Sequence, residues 1–137
     1  MRYGFVAEAL QVVSGVLDAA AALGGALPEH YGGFDRATVP FPVRSPASCD
    51  PQAWSAAAPL SFLRTVLRFE PWIPAGVVRI APVLPRGIGH VRIEGVPLLS
   101  ARLTIEADGD AVKVEGLPTG VELLTEPRPP LGGSPVR

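Results

Sequence analysis

At 137 residues the chain fits one ordinary domain, and an apolar share of 47% with a net charge of −1 places it among globular proteins. Its 12 Lys and Arg stand against 13 Asp and Glu with no basic run, so the charge footprint of a nucleic-acid binder is absent and a sugar or protein partner fits better. The single cysteine excludes an internal disulfide, which agrees with a cytoplasmic protein.

Arg2 precedes an apolar-rich stretch that Glu8, Gln11 and Asp18 interrupt, which argues against both a signal peptide and a membrane span. Within it Val6, Ala9, Leu10, Val13, Val16, Leu17 and Ala20 recur at helical spacing, and the pattern predicts an amphipathic helix from Tyr3 to Leu23. Gly24-Gly25 follows, where glycine readily takes the left-handed conformation that closes a helix.

Between Ala26 and Ser48 no period is sustained, and Pro28, Gly32, Gly33, Pro40, Pro42 and Pro46 interrupt regular hydrogen bonding. A connection of this length is uncommon in a compact domain unless it carries function. Its segment Leu27-Pro28-Glu29-His30-Tyr31-Gly32-Gly33-Phe34-Asp35-Arg36 gathers two carboxylates, an imidazole, a phenol and a guanidinium. Such a cluster lines a polar cleft or forms a solvated loop, and the residues alone favour the solvated loop.

Asp50 and Pro51 read as the N-cap and first position of a second helix running to about Phe69, with Trp54, Ala57, Leu60, Leu63, Leu67 and Val66 at helical spacing. Pro59 removes one backbone bond within it, to the Ser55 carbonyl, and should bend it. Cys49, without a His or second Cys at ligand spacing, reads as a small buried hydrophobe. His30 and His90 lie in different segments and show no ligand pattern, so neither a metal nor a cofactor is implied.

After Glu70-Pro71 the period changes to two. The segments at Val77-Val78-Arg79-Ile80, His90-Val91-Arg92-Ile93-Glu94, Arg102-Leu103-Thr104-Ile105-Glu106 and Val112-Lys113-Val114-Glu115 alternate as half-buried strands, with Asp108-Gly109 marking a hairpin. From Glu126 onward Pro and Gly dominate, and a disordered tail is expected over 126–137. The whole reads as α+β: two long helices over 1–75, then a small antiparallel sheet over 76–125 packed on them.

The run Cys49-Asp50-Pro51-Gln52-Ala53-Trp54-Ser55-Ala56-Ala57 resembles the Cys-x-Pro-Gln-Ala-Trp-x-Ala-Ala run on the last barrel helix of bacterial glycogen-debranching and amylo-alpha-1,6-glucosidase-type glycoside hydrolases. These are alpha/alpha toroids of six helical hairpins. Leu27-Pro28-Glu29, then Tyr31, Gly33 and Phe34, then Phe41-Pro42, are similar to the segment between the last two barrel helices. Leu67-Arg68-Phe69-Glu70-Pro71, Ala81-Pro82-Val83-Leu84-Pro85 and Ile93-Glu94-Gly95-Val96 resemble the helix exit and the C-terminal strands. His30 departs from the apolar residue expected after the glutamate.

The resemblance implies a C-terminal portion of such a hydrolase, with an alpha-glucan or other oligosaccharide as ligand. Glu29 would be the catalytic base, and Tyr31, Phe34, Gln52 and Trp54 would bind substrate. Read without the resemblance, Trp54 is a core residue and Gln52 a brace for the loop. The family's acid lies upstream of anything present here, and Asp35 does not match its motif, so the chain alone is expected to be inactive. An upstream hydrolase chain or self-association would cover the apolar faces of the two helices. The alternative is a noncatalytic carbohydrate-binding or protein-interaction module.

Overall fold

The computed structural model describes residues 1–50 and 52–131. Pro51, the expected first helical residue, and residues 132–137 of the expected tail lie outside the described residues. The chain divides into two compact units, Gln11–Phe62 and the combination of Met1–Leu10 with the chain from Leu63 onward, and the boundary falls inside both helices.

Helix α1 spans Val6–Ala22 and helix α2 spans Ala53–Leu67. In α1 the expected face is largely covered, with Val13 buried, although Leu17 is exposed and Ala19 is buried instead. The helix closes where glycine was expected to close it. Gly24 donates to the Ala21 carbonyl and Gly25 to the Ala20 carbonyl (3.3 and 2.7 Å), with Gly24 left-handed at φ 70°. These are the two bonds of a Schellman motif.

Helix α2 runs through Pro59 as one element. Its apolar stripe corrects the sequence reading in the first half of the helix only: Leu63, Val66 and Leu67 are covered as expected, but Trp54 is 68% and Leu60 70% exposed, and the covered face runs instead through Ser55, Pro59, Phe62 and Val66. Those four residues also share a helical face. The hydroxyl of Ser55 explains its burial, because it donates to the Pro28 carbonyl at 3.2 Å and so leaves no unpaired polar group.

The helix start also differs from expectation. The Asp50 carboxylate accepts a hydrogen bond from the Arg44 guanidinium, while the Gln52 carbonyl accepts from Ala56 N–H and the Gln52 side chain from Ala53 N–H (both 3.0 Å). Gln52 therefore stands where Asp50 was expected as cap. A guanidinium six residues back outcompetes backbone donors for a carboxylate because its bond is charged at both ends.

The expected single antiparallel sheet is two sheets. Strands β1 (Glu70–Trp72), β2 (Val77–Arg79) and β6 (Glu122–Leu124) form one in the order β1-β2-β6, and β3 (His90–Leu98), β4 (Ala101–Asp108) and β5 (Ala111–Glu115) form the other in the order β3-β4-β5. The second is antiparallel throughout, with Ile93 facing Ile105 and Ala107 facing Val112. The first is mixed: β1 pairs antiparallel with β2, whereas β6 returns to lie parallel to β2, Val78 opposite Leu123. Strands β1 and β6 have three residues each, too few to show an alternation.

The hairpin expected at Asp108-Gly109 is present, Asp108 pairing with Ala111 across two loop residues. Strand β4 alternates as a core strand does, with Leu103, Ile105 and Ala107 buried. They pack with Val78, Ile80, Leu98 and Leu67, the last residue of α2. Leu67 is anchored through its backbone as well. Its carbonyl accepts from Ala81 N–H at 3.1 Å, and that of Val66 from Val83 N–H at 2.7 Å. Burial of each large apolar side chain contributes about 1.5–3 kcal/mol. The outer face of the β3-β4-β5 sheet carries His90, Arg92, Glu94 and Glu106 in a chain of polar contacts between 2.9 and 3.1 Å, Arg92 pairing with both glutamates and His90 hydrogen-bonded to Glu106.

Residues 126–131 have no regular structure, yet the Arg128 guanidinium lies 3.2 Å from the Glu70 carboxylate and Leu131 N–H donates to the Arg2 carbonyl at 2.8 Å. Among the described residues no helix is long and apolar enough to cross a membrane.

Candidate functional site

Within the unit Gln11–Phe62 the long connection is zipped upon itself. Glu29 N–H donates to the Cys49 carbonyl (3.2 Å), His30 N–H to the Ser48 hydroxyl (3.2 Å) and Gly32 N–H to the Val43 carbonyl (2.9 Å), and Tyr31 and Arg44 form an isolated antiparallel bridge. These cross-links use donors that the prolines cannot supply, so a segment without period still holds a defined path. Its far end is a turn built on Asp35, whose carbonyl accepts from Thr38 and Val39 and whose side chain accepts from Ala37 N–H at 2.8 Å. This is the Asx-turn chemistry of aspartate.

Glu29 sits where the connection meets the start of α2. Its carboxylate accepts from Cys49 N–H at 3.3 Å, reciprocating the backbone bond in the other direction. The Cys49 amide is the main influence holding this carboxyl below its usual value; the Cys49 thiol, the Gln52 amide and the charge of His30 act in the same direction against partial desolvation. His30 Nδ1 lies 3.8 Å from the carboxylate. Glu29 is thus an ionised carboxylate at neutral pH, half-buried and aimed at the residues before α2.

The structure brings Glu29 and Gln52 together. Tyr31 and Phe34 lie elsewhere. With Gly15, Val16, Ala19, Arg36, Val39 and Phe41 they line a cleft of about 220 Å³ between α1 and the connection. The Tyr31 hydroxyl is buried and without a hydrogen-bond partner among the described residues, and burial raises its pKa. Phe34 is exposed, its ring lying over Gly32 so closely that a side chain there would collide with it.

Trp54 projects from the first turn of α2 into solvent, which corrects its reading as a core residue. The neighbouring Ser55 faces inward, its hydroxyl committed to Pro28, so the indole about 100° around the helix faces outward. Cys49 is exposed as well, contrary to its reading as a buried hydrophobe; its backbone exchanges two hydrogen bonds with Glu29, and its thiol also lies against the carboxylate. The Glu29 carboxylate beside it raises the thiol pKa, which opposes thiolate chemistry there.

Among the described residues no three His, Cys, Asp or Glu side chains converge as a metal site would require. Sequence reasoning missed the pairing of Arg44 with Asp50 and the unpartnered Tyr31 hydroxyl. Both depend on how the connection folds back, for which no periodicity exists.

In comparisons with known proteins, no family model matches the chain, and no curated protein and no solved structure matches it.

Proposed function

We propose that the chain is part of an alpha-glucan-acting glycoside hydrolase of the amylo-alpha-1,6-glucosidase type, carrying the catalytic base and incomplete as a catalyst by itself. The observation that carries this reading is the placement of Glu29. Its carboxylate is held in place by Cys49 N–H beside Gln52, at the half-buried point where the connection meets the start of α2. Gln52 supplies an amide for sugar hydroxyls, and Trp54 supplies an exposed indole for stacking on a sugar ring. The cleft of Tyr31 and Phe34, with its unpartnered hydroxyl, offers a second place for a sugar of an oligosaccharide.

An inverting hydrolysis also requires an acid roughly 6.5–9.5 Å from the base. Asp35 is engaged in its own turn and does not serve that role. A neighbouring hydrolase segment would supply the acid and cover the exposed Leu60.

A noncatalytic carbohydrate-binding or protein-interaction module is the second reading. It is favoured by the core that the two sheets close around Ile80, Leu103 and Ile105, which gives that unit the means to fold without further chain.

The test is twofold. The chain alone is expected to release no glucose from maltooligosaccharides or limit dextrin, and turnover that vanishes in Glu29→Gln would overturn its incompleteness. Maltooligosaccharide is expected to change the fluorescence of Trp54 in a Trp72→Phe background and to lose that effect in Gln52→Ala. An unchanged spectrum at saturating sugar would remove the hydrolase reading.

A further inference from the structure

Four arginines far apart in sequence converge on one cleft in the sheet-bearing unit. Arg2, Arg68, Arg79 and Arg128 line a space of about 330 Å³, together with Glu70 and residues of the segment 127–130. Glu70 is the one carboxylate there, and it is already shared: Arg128 Nε lies 3.2 Å from one oxygen and Arg2 Nε 4.0 Å from the other. Arg79 is the cross-strand partner of Glu70 in the β1–β2 pair, yet among the described residues neither Arg79 nor Arg68 makes an ion pair. The Arg79 Nε is also buried with no hydrogen-bond partner among those residues. A buried charged donor left unpaired is costly, and native structures retain few of them.

Arg68 supplies an independent sign. It is the residue after α2, with its N–H donating to the Thr65 carbonyl (3.1 Å) and that of Phe69 to the Arg64 carbonyl (3.0 Å), the same two-bond closure that ends α1. In α1 the left-handed position is Gly24; in α2 it is Arg68, at φ 48°. An arginine thus occupies a site whose backbone favours glycine, and its side chain faces the cleft. On the other side of Arg68 a second cleft carries Asp110 and Glu126, which confines the cationic excess to the side of Arg79 and Arg2.

We infer that this cleft binds a phosphoryl-type dianion, with the guanidinium groups of Arg68 and Arg79 as its main donors and Arg2 and Arg128 closing the rim. Guanidinium forks match the oxygens of a tetrahedral phosphoryl group, and four of them in one cleft against a single carboxylate leave cationic charge for such a ligand to balance. The cleft is larger than the anion alone and leaves room for the small molecule that carries it. This site is independent of the Glu29 reading and lies in the other unit.

The experiment is calorimetric titration of the full chain with inorganic phosphate, and separately with a sugar monophosphate, at low ionic strength. Saturable binding at one site is expected, weakened about tenfold or more in Arg68→Gly and in Arg79→Gln and less than about twofold in Arg86→Gln, which lies outside the cleft. Thermal melts of each variant separate lost binding from lost folding, and Arg68→Gly retains its backbone closure in any case. Tighter binding of the sugar monophosphate supports the site and assigns the phosphoryl group to a larger ligand, whereas equal binding supports it with free phosphate as the occupant. Absence of saturable binding by either anion, equal weakening by Arg86→Gln, or binding of an acidic peptide in place of both would overturn the proposal.

Discussion

Replacing Arg68 by glycine should leave the protein as stable as before or slightly more so, an unusual expectation for a half-buried residue at the end of a helix. The left-handed conformation at φ 48° costs a residue with a β-carbon roughly 1–2 kcal/mol that glycine does not incur. Against this, glycine gives up roughly 0.5–1 kcal/mol more backbone entropy on folding. The Arg68 guanidinium makes no ion pair among the described residues, so little attraction is lost, and its removal relieves repulsion from Arg2 and Arg79 across the cleft. The net is a gain of about 0.5 kcal/mol, which at this chain length raises Tm by about 1–3 °C. Gly24→Arg is the mirror experiment, placing arginine in the same motif at φ 70° away from the arginine cleft, and it should cost about 0.5 kcal/mol. Urea unfolding followed by circular dichroism gives both values from the shift in midpoint at constant slope. If Arg68→Gly destabilised by more than about 1 kcal/mol, the side chain would be holding the fold, and the argument that arginine is kept there for a ligand would fail.

Gly116 is expected to tolerate no side chain: at φ 80° a β-carbon would strike the Arg102 carbonyl oxygen, so Gly116→Ala should cost about 2–4 kcal/mol by the same urea assay. Stability should fall in acid partly through Glu106, whose carboxyl is held below its ordinary value first by the hydrogen bond from His90 and also by Arg92. Because the folded value lies below the unfolded one, that contribution is present above the unfolded carboxylate range and disappears as pH falls through the folded value. Glu106→Gln should therefore flatten the decline of Tm with pH below roughly pH 4.5 while changing its slope little between pH 6 and 8. An unchanged acid limb would show that other carboxylates govern it.

The periodic parts of this fold were legible, and the short parts were not. Alternation over β4 and helical spacing over α1 each repeat enough times to announce an element, and the Gly24-Gly25 stop carries its own conformational reason. Strands β1 and β6 offer three residues apiece, and the parallel return of β6 onto β2 is a long-range pairing for which no local signal exists. The same limit explains α2. Its apolar residues recur at helical spacing, but the side its first half turns away from solvent is chosen by a tertiary bond from Ser55 to Pro28, twenty-seven positions back.

The two candidate sites differ in the same way. Glu29 and Gln52 belong to contiguous motifs, so a resemblance between short runs was enough to single them out, and the zipped connection sets them side by side through Cys49. The arginine cleft has no motif. Arg2, Arg68, Arg79 and Arg128 are separated by other elements, and a net charge of −1 with no basic run argues against a cationic site when charge is read along the chain. What gathers them is the fold: the exit of α2, the β1–β2 pair and the return of residues 127–131 past Arg2. A nearly neutral sequence therefore does not preclude an anion site, because the balance that matters is struck within a cleft, where four guanidinium groups face a single carboxylate.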